Sequence, residues 1–295
     1  MGALLLASFI ASETMLITYS RLGLLDGLLL FFILATVLAA WLTKRKRQVV
    51  WPAVLFGLSM SIKWTAVGVI VPVAYILWRK KLLVPFLASL GIPLVIYLWI
   101  VYAGQFLNGE EYTWQAVWRW HRETYAFHTH LGNTHIFHSP PLSWPLMLRP
   151  MTIFHETDAA GREFVISAIG NPVLWWSSTL AIVYALYEVA RRRIADNEPV
   201  ADHPLVPVLL GYGALLLPWA LSDRDSFIYH YFPPYIFAQL ALVYGLSQLW
   251  KYRPWMVAAF TACVVATALF YLPMVMALPM SEESLRWHLW LESWW

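Results

Sequence analysis

The stretch KRKRQVVWPAVLFGLSMSIKWTAVGVIVPVAYILWRKK, residues 44–81, decides the architecture of this chain. It is an apolar segment closed at each end by a basic cluster, Lys44 to Arg47 and Arg79 to Lys81. Lys and Arg collect in the cytoplasmic loops of membrane proteins, so both clusters belong on that side and the chain between them must go out and come back. Each arm then has about 15 residues, or roughly 22 Å at ~1.5 Å per residue, against a hydrocarbon core of roughly 30 Å. The segment therefore reads as a hairpin of helices at about 49–62 and 66–79, with its tip near Ser61, Lys63 and Trp64 submerged below the outer surface.

Further apolar runs, residues 26–42, 82–102, 172–190, 204–221, 233–250 and 254–273, lie on both sides of the hairpin. The whole chain is 60% hydrophobic and 13% charged, against about a quarter charged in soluble domains, which excludes a soluble enzyme. The start, MGALLLASFIASETMLITYS, has no basic residue before its apolar run and carries Glu13, so it reads as a helix of the fold rather than a signal peptide. Arg191 to Arg193 and Lys251 with Arg253 complete the cytoplasmic clusters, which together hold 12 of the 20 Lys and Arg. The expectation is an all-α, polytopic helical bundle of about nine passes or half-passes, one membrane domain over residues 1–295, with Met1 inside and Trp295 outside. The net charge of +3 does not point to nucleic acid, because placement of charge matters more than its sum here. Cys263, the single cysteine, has no partner for a disulfide or a thiolate metal site and reads as small apolar filling.

This topology leaves a long extracytoplasmic segment, residues 103–171, and a shorter one near 222–232. Long loops of this kind are usually functional. In the first, Trp114, Val117, Trp118, His121 and Tyr125 recur at helical spacing opposite Gln115, Arg119, Arg122 and Glu123, the pattern of a helix lying in the membrane interface. Arg21, Asp26, Lys63, Asp223, Arg224, Asp225 and His230 also fall on the outer side, and ionisable groups at membrane depth default to functional hypotheses. Each has a plainer role beside it: Asp26 as a helix cap, Lys63 snorkelling, Arg224 in a local ion pair with its neighbours. Glu13, two turns below the outer end, needs a partner, for which Arg21 or Lys63 is expected. His121, His128, His130, His135 and His138 are concentrated in one stretch, but their spacing fits no structural zinc pattern, and hydrogen bonding to sugar or phosphate is the favoured reading.

Several stretches, in order along the chain, resemble the dolichyl-phosphate-mannose protein O-mannosyltransferases, multipass C-type glycosyltransferases. They are Glu13 with SRLGLLD (20–26), GLSMSIKWTAVG (57–68), FHTHLGNTHIFHSPPLSWPLMLRP (127–150), GNPVLWW (170–176), FIYHYFPPYIF (227–237) and the ending RWHLWLESWW. The resemblance implies transfer of mannose from a polyprenyl (dolichyl) phosphate mannose lipid to a Ser or Thr of a secreted protein, at the extracytoplasmic face of the cell membrane. It places His128, His135, Trp144, Arg149, His230 and Tyr231 at the substrate.

The chemistry needs a base for the hydroxyl and positive charge for the departing phosphate. Arg21, Lys63 and Arg224 are the expected donor-phosphate residues, and Asp26 and Glu13 the supporting catalytic carboxylates. A counterpart of the family's first helix and acidic outer loop, which carries its general base, is not found here, so the chain reads as a prokaryotic-type member lacking that N-terminal part. No cofactor is fixed; a divalent cation held with the help of Asp26 is the candidate, with the metal ligands unknown. Another polyprenyl-phosphate-sugar-dependent glycosyltransferase and a noncatalytic membrane assembly protein are the alternatives. A transporter is disfavoured, because the polar residues gather at one face rather than around a midplane site between repeats.

Overall fold

The apolar runs all form helices, as they must where the backbone has only its own N–H and C=O groups to bond with. The structure, a computed structural model, describes residues 1–109, 113–129, 136–197, 199–222 and 225–295. In chain order the elements are α1 (Gly2–Ala11), α2 (Thr14–Arg21), α3 (Asp26–Leu42), α4 (Val50–Ile62), α5 (Ile70–Arg79), α6 (Leu83–Ala88), α7 (Gly91–Leu107) and α8 (Trp114–Thr129). Two strands follow, β1 (Met151–Thr157) and β2 (Glu163–Ala168). The rest is α9 (Pro172–Ile194), α10 (Leu205–Ala220), α11 (Phe232–Trp250), α12 (Pro254–Phe270), α13 (Leu272–Met276) and α14 (Glu282–His288). Among the described residues, Leu83–Leu107 and Pro172–Ile194 are long and apolar enough to cross a membrane, and α1 with α2, bent by 60° at their break, passes the same test as a pair. The segments α3, Trp64–Arg79, α10 and α12 are shorter apolar helices.

By its internal contacts the chain divides into two units, each assembled from distant parts of the sequence. One comprises Met1–Gly27, Ile136–Tyr212 and Ser226–Trp295. At its centre is α11, whose residues Phe232 to Gln239 are all buried and which packs along α9 and α1. The first half of α10 comes so close that a Cβ on Gly211 would fall 2.1 Å from the Phe237 ring. Cys263 lies on an exposed face of α12 rather than in the core.

The β-hairpin of this unit was not expected from the sequence. Its strands pair antiparallel from Met151 opposite Ala168 to Thr157 opposite Glu163, with an irregularity between Thr152 and Phe154. The turn is built by Asp158, whose Oδ1 accepts from the Ala160 and Arg162 backbone N–H groups at 2.9 Å each, and by Gly161 at φ 72°. Glu163 also pairs through its backbone with Met280.

The other unit comprises Leu28–His135 and Gly213–Asp225. Here the expected hairpin is present: α4 ends at Ile62, Lys63 takes an extended conformation (φ −149°, ψ 135°), and a 3-10 turn, Trp64–Val69, leads into α5. Close packing fixes it, since a Cβ on Gly57 would stand 2.7 Å from Pro93 Cα of α7 and one on Gly68 2.7 Å from the Ala214 carbonyl oxygen of α10. Lys80 ties the hairpin's return to the end of α3, its ammonium donating to the carbonyls of Ala40 and Thr43 at 3.1 Å and also to Trp41. Those carbonyls belong to the last turn of a helix and have no partner within it. Burial, then the charge of Lys44, pulls the Lys80 ammonium below its ordinary pKa, so the two basic clusters at the ends of the hairpin are close enough to repel.

Candidate functional site

Glu13 caps α2 at the break after α1. Its Oε2 accepts from the Tyr235 hydroxyl at 2.7 Å, and its Oε1 from the backbone N–H of Asn171 at 3.1 Å and of Met15 at 3.4 Å. Asn171 continues the junction: its Nδ2 donates to Ser12 O at 3.0 Å and Val264 O at 2.8 Å, while its Oδ1 accepts from Leu174 N at 3.3 Å to cap α9. Gly170 leaves room for all this, because a Cβ there would meet the Trp175 ring at 2.3 Å and Glu13 Oε1 at 3.0 Å. The partners expected for Glu13, Arg21 or Lys63, are therefore replaced by a hydroxyl and two amides, which satisfy a buried carboxylate without a second charge. Arg21 is exposed and donates through Nη1 to the carbonyl of Val275 at the end of α13.

The loop before β1 is held from outside itself. Residues Pro141–Leu146 form a 3-10 turn that contains Pro145 and ends at Met147 in the left-handed region, φ 54°. Its consecutive carbonyls are taken by side chains from elsewhere: Trp144 O by Trp175 Nε1 at 2.8 Å, Pro145 O by Thr179 at 2.6 Å and Leu146 O by Trp176 Nε1 at 2.9 Å. Met147 O accepts from Trp294 Nε1 at 2.7 Å, and Leu148 O from Ser293. Trp144 is fully buried and donates from Nε1 to Ser139 O at 3.2 Å and Ser139 Oγ at 3.0 Å. Tyr231 is equally buried, stacked against Tyr235 and tilted against Trp175, with its hydroxyl 3.0 Å from that of Tyr212. These two, expected at the substrate, are both fully buried against the side chains around them. Arg149 is exposed.

His230 is placed differently. Half-buried, it lies on Trp144 (6.1 Å, 26°) and against Tyr229 (4.2 Å, 33°), with Nδ1 3.1 Å from the Phe227 N–H. Tyr229 in turn meets Tyr19, which is buried with its ring 5.6 Å from Tyr229 and 5.3 Å from Phe232, and whose hydroxyl has no hydrogen-bond partner among the described residues. Asp26 is buried at the first turn of α3. Tyr19, Tyr229 and His230 thus form one polar-aromatic cluster in this unit. The sequence reading passed over Tyr19 and Tyr229; the available signal was a tyrosine two residues before Arg21 and another beside His230, indistinguishable there from an aromatic belt.

In the other unit Lys63 stands half-buried at the hairpin break, and Trp64 beside it donates from Nε1 to Tyr97 Oη at 2.8 Å. The helix expected at the interface is present as α8, but its packed face runs through Ala116, Val117, Trp120 and His121, leaving Trp114, Trp118 and Tyr125 as an exposed stripe beside it. His128 near its end is exposed. His130, His135, Asp223 and Arg224 lie outside the described residues. Among the described residues no three His, Cys, Asp or Glu side chains gather where they could hold a metal ion.

Residues 113–294 match the family model described as the C-terminal four TMM region of protein-O-mannosyltransferase, well over half of the chain. The chain belongs to the protein O-mannosyltransferase family. Among its relatives is a polyprenol-phosphate-mannose–protein mannosyltransferase of Mycobacterium tuberculosis, 27% identical over 93% of this chain and 67% of the relative. Dolichyl-phosphate-mannose–protein mannosyltransferase 1 of Saccharomyces cerevisiae is 24% identical over 59% of this chain and 23% of its own length. The solved structure of the S. cerevisiae protein O-mannosyltransferase Pmt1-Pmt2 complex bound to the sugar donor aligns with a TM-score of 0.55 and 24% identity, over 62% of this chain and 27% of that one. That likeness supports the helical fold. The family is one of membrane-embedded glycosyltransferases, named for a polyprenol- or dolichyl-phosphate mannose donor and a protein acceptor.

Proposed function

We propose that this chain is a working part of a protein O-mannosyltransferase that moves mannose from a polyprenyl phosphate to a Ser or Thr hydroxyl of a secreted protein, at the extracytoplasmic face of the cell membrane. The observation that carries the reading is the hairpin break, where an apolar segment too short to span twice turns at a half-buried lysine within a chain of this family. A cation at that depth suits a phosphate whose negative charge grows as the glycosidic bond breaks, and its attraction then strengthens most in the transition state. Lys63 is assigned to the donor phosphate, with Arg21 and Arg224 as further candidates; Arg21 has one N–H already committed to Val275. The cluster of Tyr19, Tyr229 and His230 is assigned to the sugar or the acceptor hydroxyl, together with Asp26, His128, His135 and Arg149. Asp26 orients groups there, and Glu13 holds the helix break that carries Tyr19 and Arg21.

The test is transfer of labelled mannose from a polyprenyl phosphate to a Ser/Thr-rich peptide in nanodiscs by the chain joined to the family's first helix and acidic outer loop. Lys63→Met is expected to lower transfer about tenfold, roughly 1.4 kcal/mol of transition-state stabilisation, with the protein still folded. Unchanged transfer in that variant would remove Lys63 from the donor site.

A further inference from the structure

The turn that carries Lys63 is wired to α8. His121 Nδ1 lies 2.7 Å from the Val117 carbonyl oxygen, which can only accept, so Nδ1 bears the proton and donates. In the neutral ring Nε2 is then an acceptor, and the Tyr97 hydroxyl 2.8 Å away must donate to it. The Tyr97 oxygen is left to accept the Trp64 indole N–H, also at 2.8 Å. The direction of every bond in the series Trp64, Tyr97, His121, Val117 is thereby fixed, and these polar atoms of all three side chains are paired. The rings reinforce it: Trp64 lies parallel to His121 (6.1 Å, 10°), and Trp120 closes on the edges of both at 6.3 and 5.0 Å.

We infer that Tyr97 and His121 are positioning residues that hold the Lys63 turn at its working depth by tying Trp64 to α8. This rests on the assignment of Lys63 to the donor phosphate. The geometry gives the link something to act on, because Lys63 is extended and joins α4 to a 3-10 turn, leaving its own backbone outside the regular helices. It also gives the link an anchor. One flank of α8 buries Val117 while the next exposes Trp114 (66%), Trp118 (72%) and Tyr125 (64%), the aromatic stripe of a helix seated in a membrane interface. The depth of α8 in the interface is thus passed through two hydrogen bonds to the residue preceding the turn's first helical position, Lys63.

Two readouts on the full chain in nanodiscs, in a Cys263→Ser background, test this. The first is the rate of thiol labelling at Thr65→Cys, one residue beyond Trp64; the second is the Kd for polyprenyl phosphate. Tyr97→Phe and His121→Leu are each expected to raise the labelling rate and weaken phosphate binding about three- to tenfold, the equivalent of one lost net hydrogen bond, whereas His121→Gln, which keeps an acceptor for Tyr97, stays near the unsubstituted protein. Unchanged labelling in Tyr97→Phe and His121→Leu would overturn the link itself. Faster labelling with unaltered phosphate binding, while Lys63→Met does weaken binding, would overturn the positioning role. If Lys63→Met leaves binding unchanged, the donor-phosphate assignment fails and the positioning role with it, while the labelling rates still report whether the turn is tied.

Discussion

Glu13 gathers donors from α2, from the start of α9 and from α11, so its carboxylate ties three elements together. Glu13→Ala strips the acceptor from the Asn171 N–H and from the Tyr235 O–H in the interior, and a loss of roughly 2–4 kcal/mol is expected in equilibrium unfolding in mixed micelles. Tyr235→Phe removes one of those bonds and should cost about 1 kcal/mol, with the double variant less severe than the sum because the two share a contact. A neutral Glu13→Ala would mean that the junction is not structural. The sequence marked Glu13 as a buried charge in need of company, since an acid within an apolar run must be hydrogen-bonded, paired or protonated. It did not reveal the company, because Asn171 and Tyr235 lie 158 and 222 residues away. Trp144 and Tyr231 carry the converse difficulty: an aromatic side chain beside a proline-rich loop looks the same in sequence whether it stacks on a sugar or holds up the loop, and their full burial became visible only in the fold.

Among the elements, the two-helix hairpin and the long apolar helices were legible because length and basic flanks constrain them together. The β-hairpin was not, since MTIFHET carries little alternation, and its signal was the turn Asp158-Ala159-Ala160-Gly161. Glu163 at its closed end is held below the ordinary carboxylate pKa, first by a 2.7 Å bond from His155 Nε2 and next by Thr157 at 2.9 Å. A carboxyl with a lowered native pKa stabilises the fold fully above its unfolded value of about 4.3, and that contribution disappears as the pH falls through the lower native value. Amide exchange in β1 and β2, corrected for intrinsic pH effects, should therefore accelerate below about pH 4 in the native chain. Glu163→Gln should show the faster exchange already at neutral pH; an identical profile in the two would deny the pair any role. Lys80, across the end of α3, is the comparable device in the other unit. Lys80→Gln should lower stability by about 1 kcal/mol through loss of the carbonyls it holds.

At the scale of the whole molecule, hydropathy and basic clusters gave the helical membrane architecture, but the division into two units was hidden, because each is built from separated segments of the sequence. The orientation is open to direct test. In a Cys263→Ser background, Ile136→Cys should react with an impermeant thiol reagent added outside intact cells, and Arg192→Cys should react only after permeabilisation. The reverse pattern would contradict the proposed extracytoplasmic active face. The central claim, that this chain serves mannosyl transfer to protein, is tested most directly by mass spectrometry of an exported Ser/Thr-rich reporter from cells that make the chain, cells that lack it, and cells that make the Lys63→Met variant. The account predicts hexose on Ser or Thr in the first, none in the second and about tenfold less in the third. A reporter equally modified with and without the chain, while the chain is folded in the membrane, would contradict it.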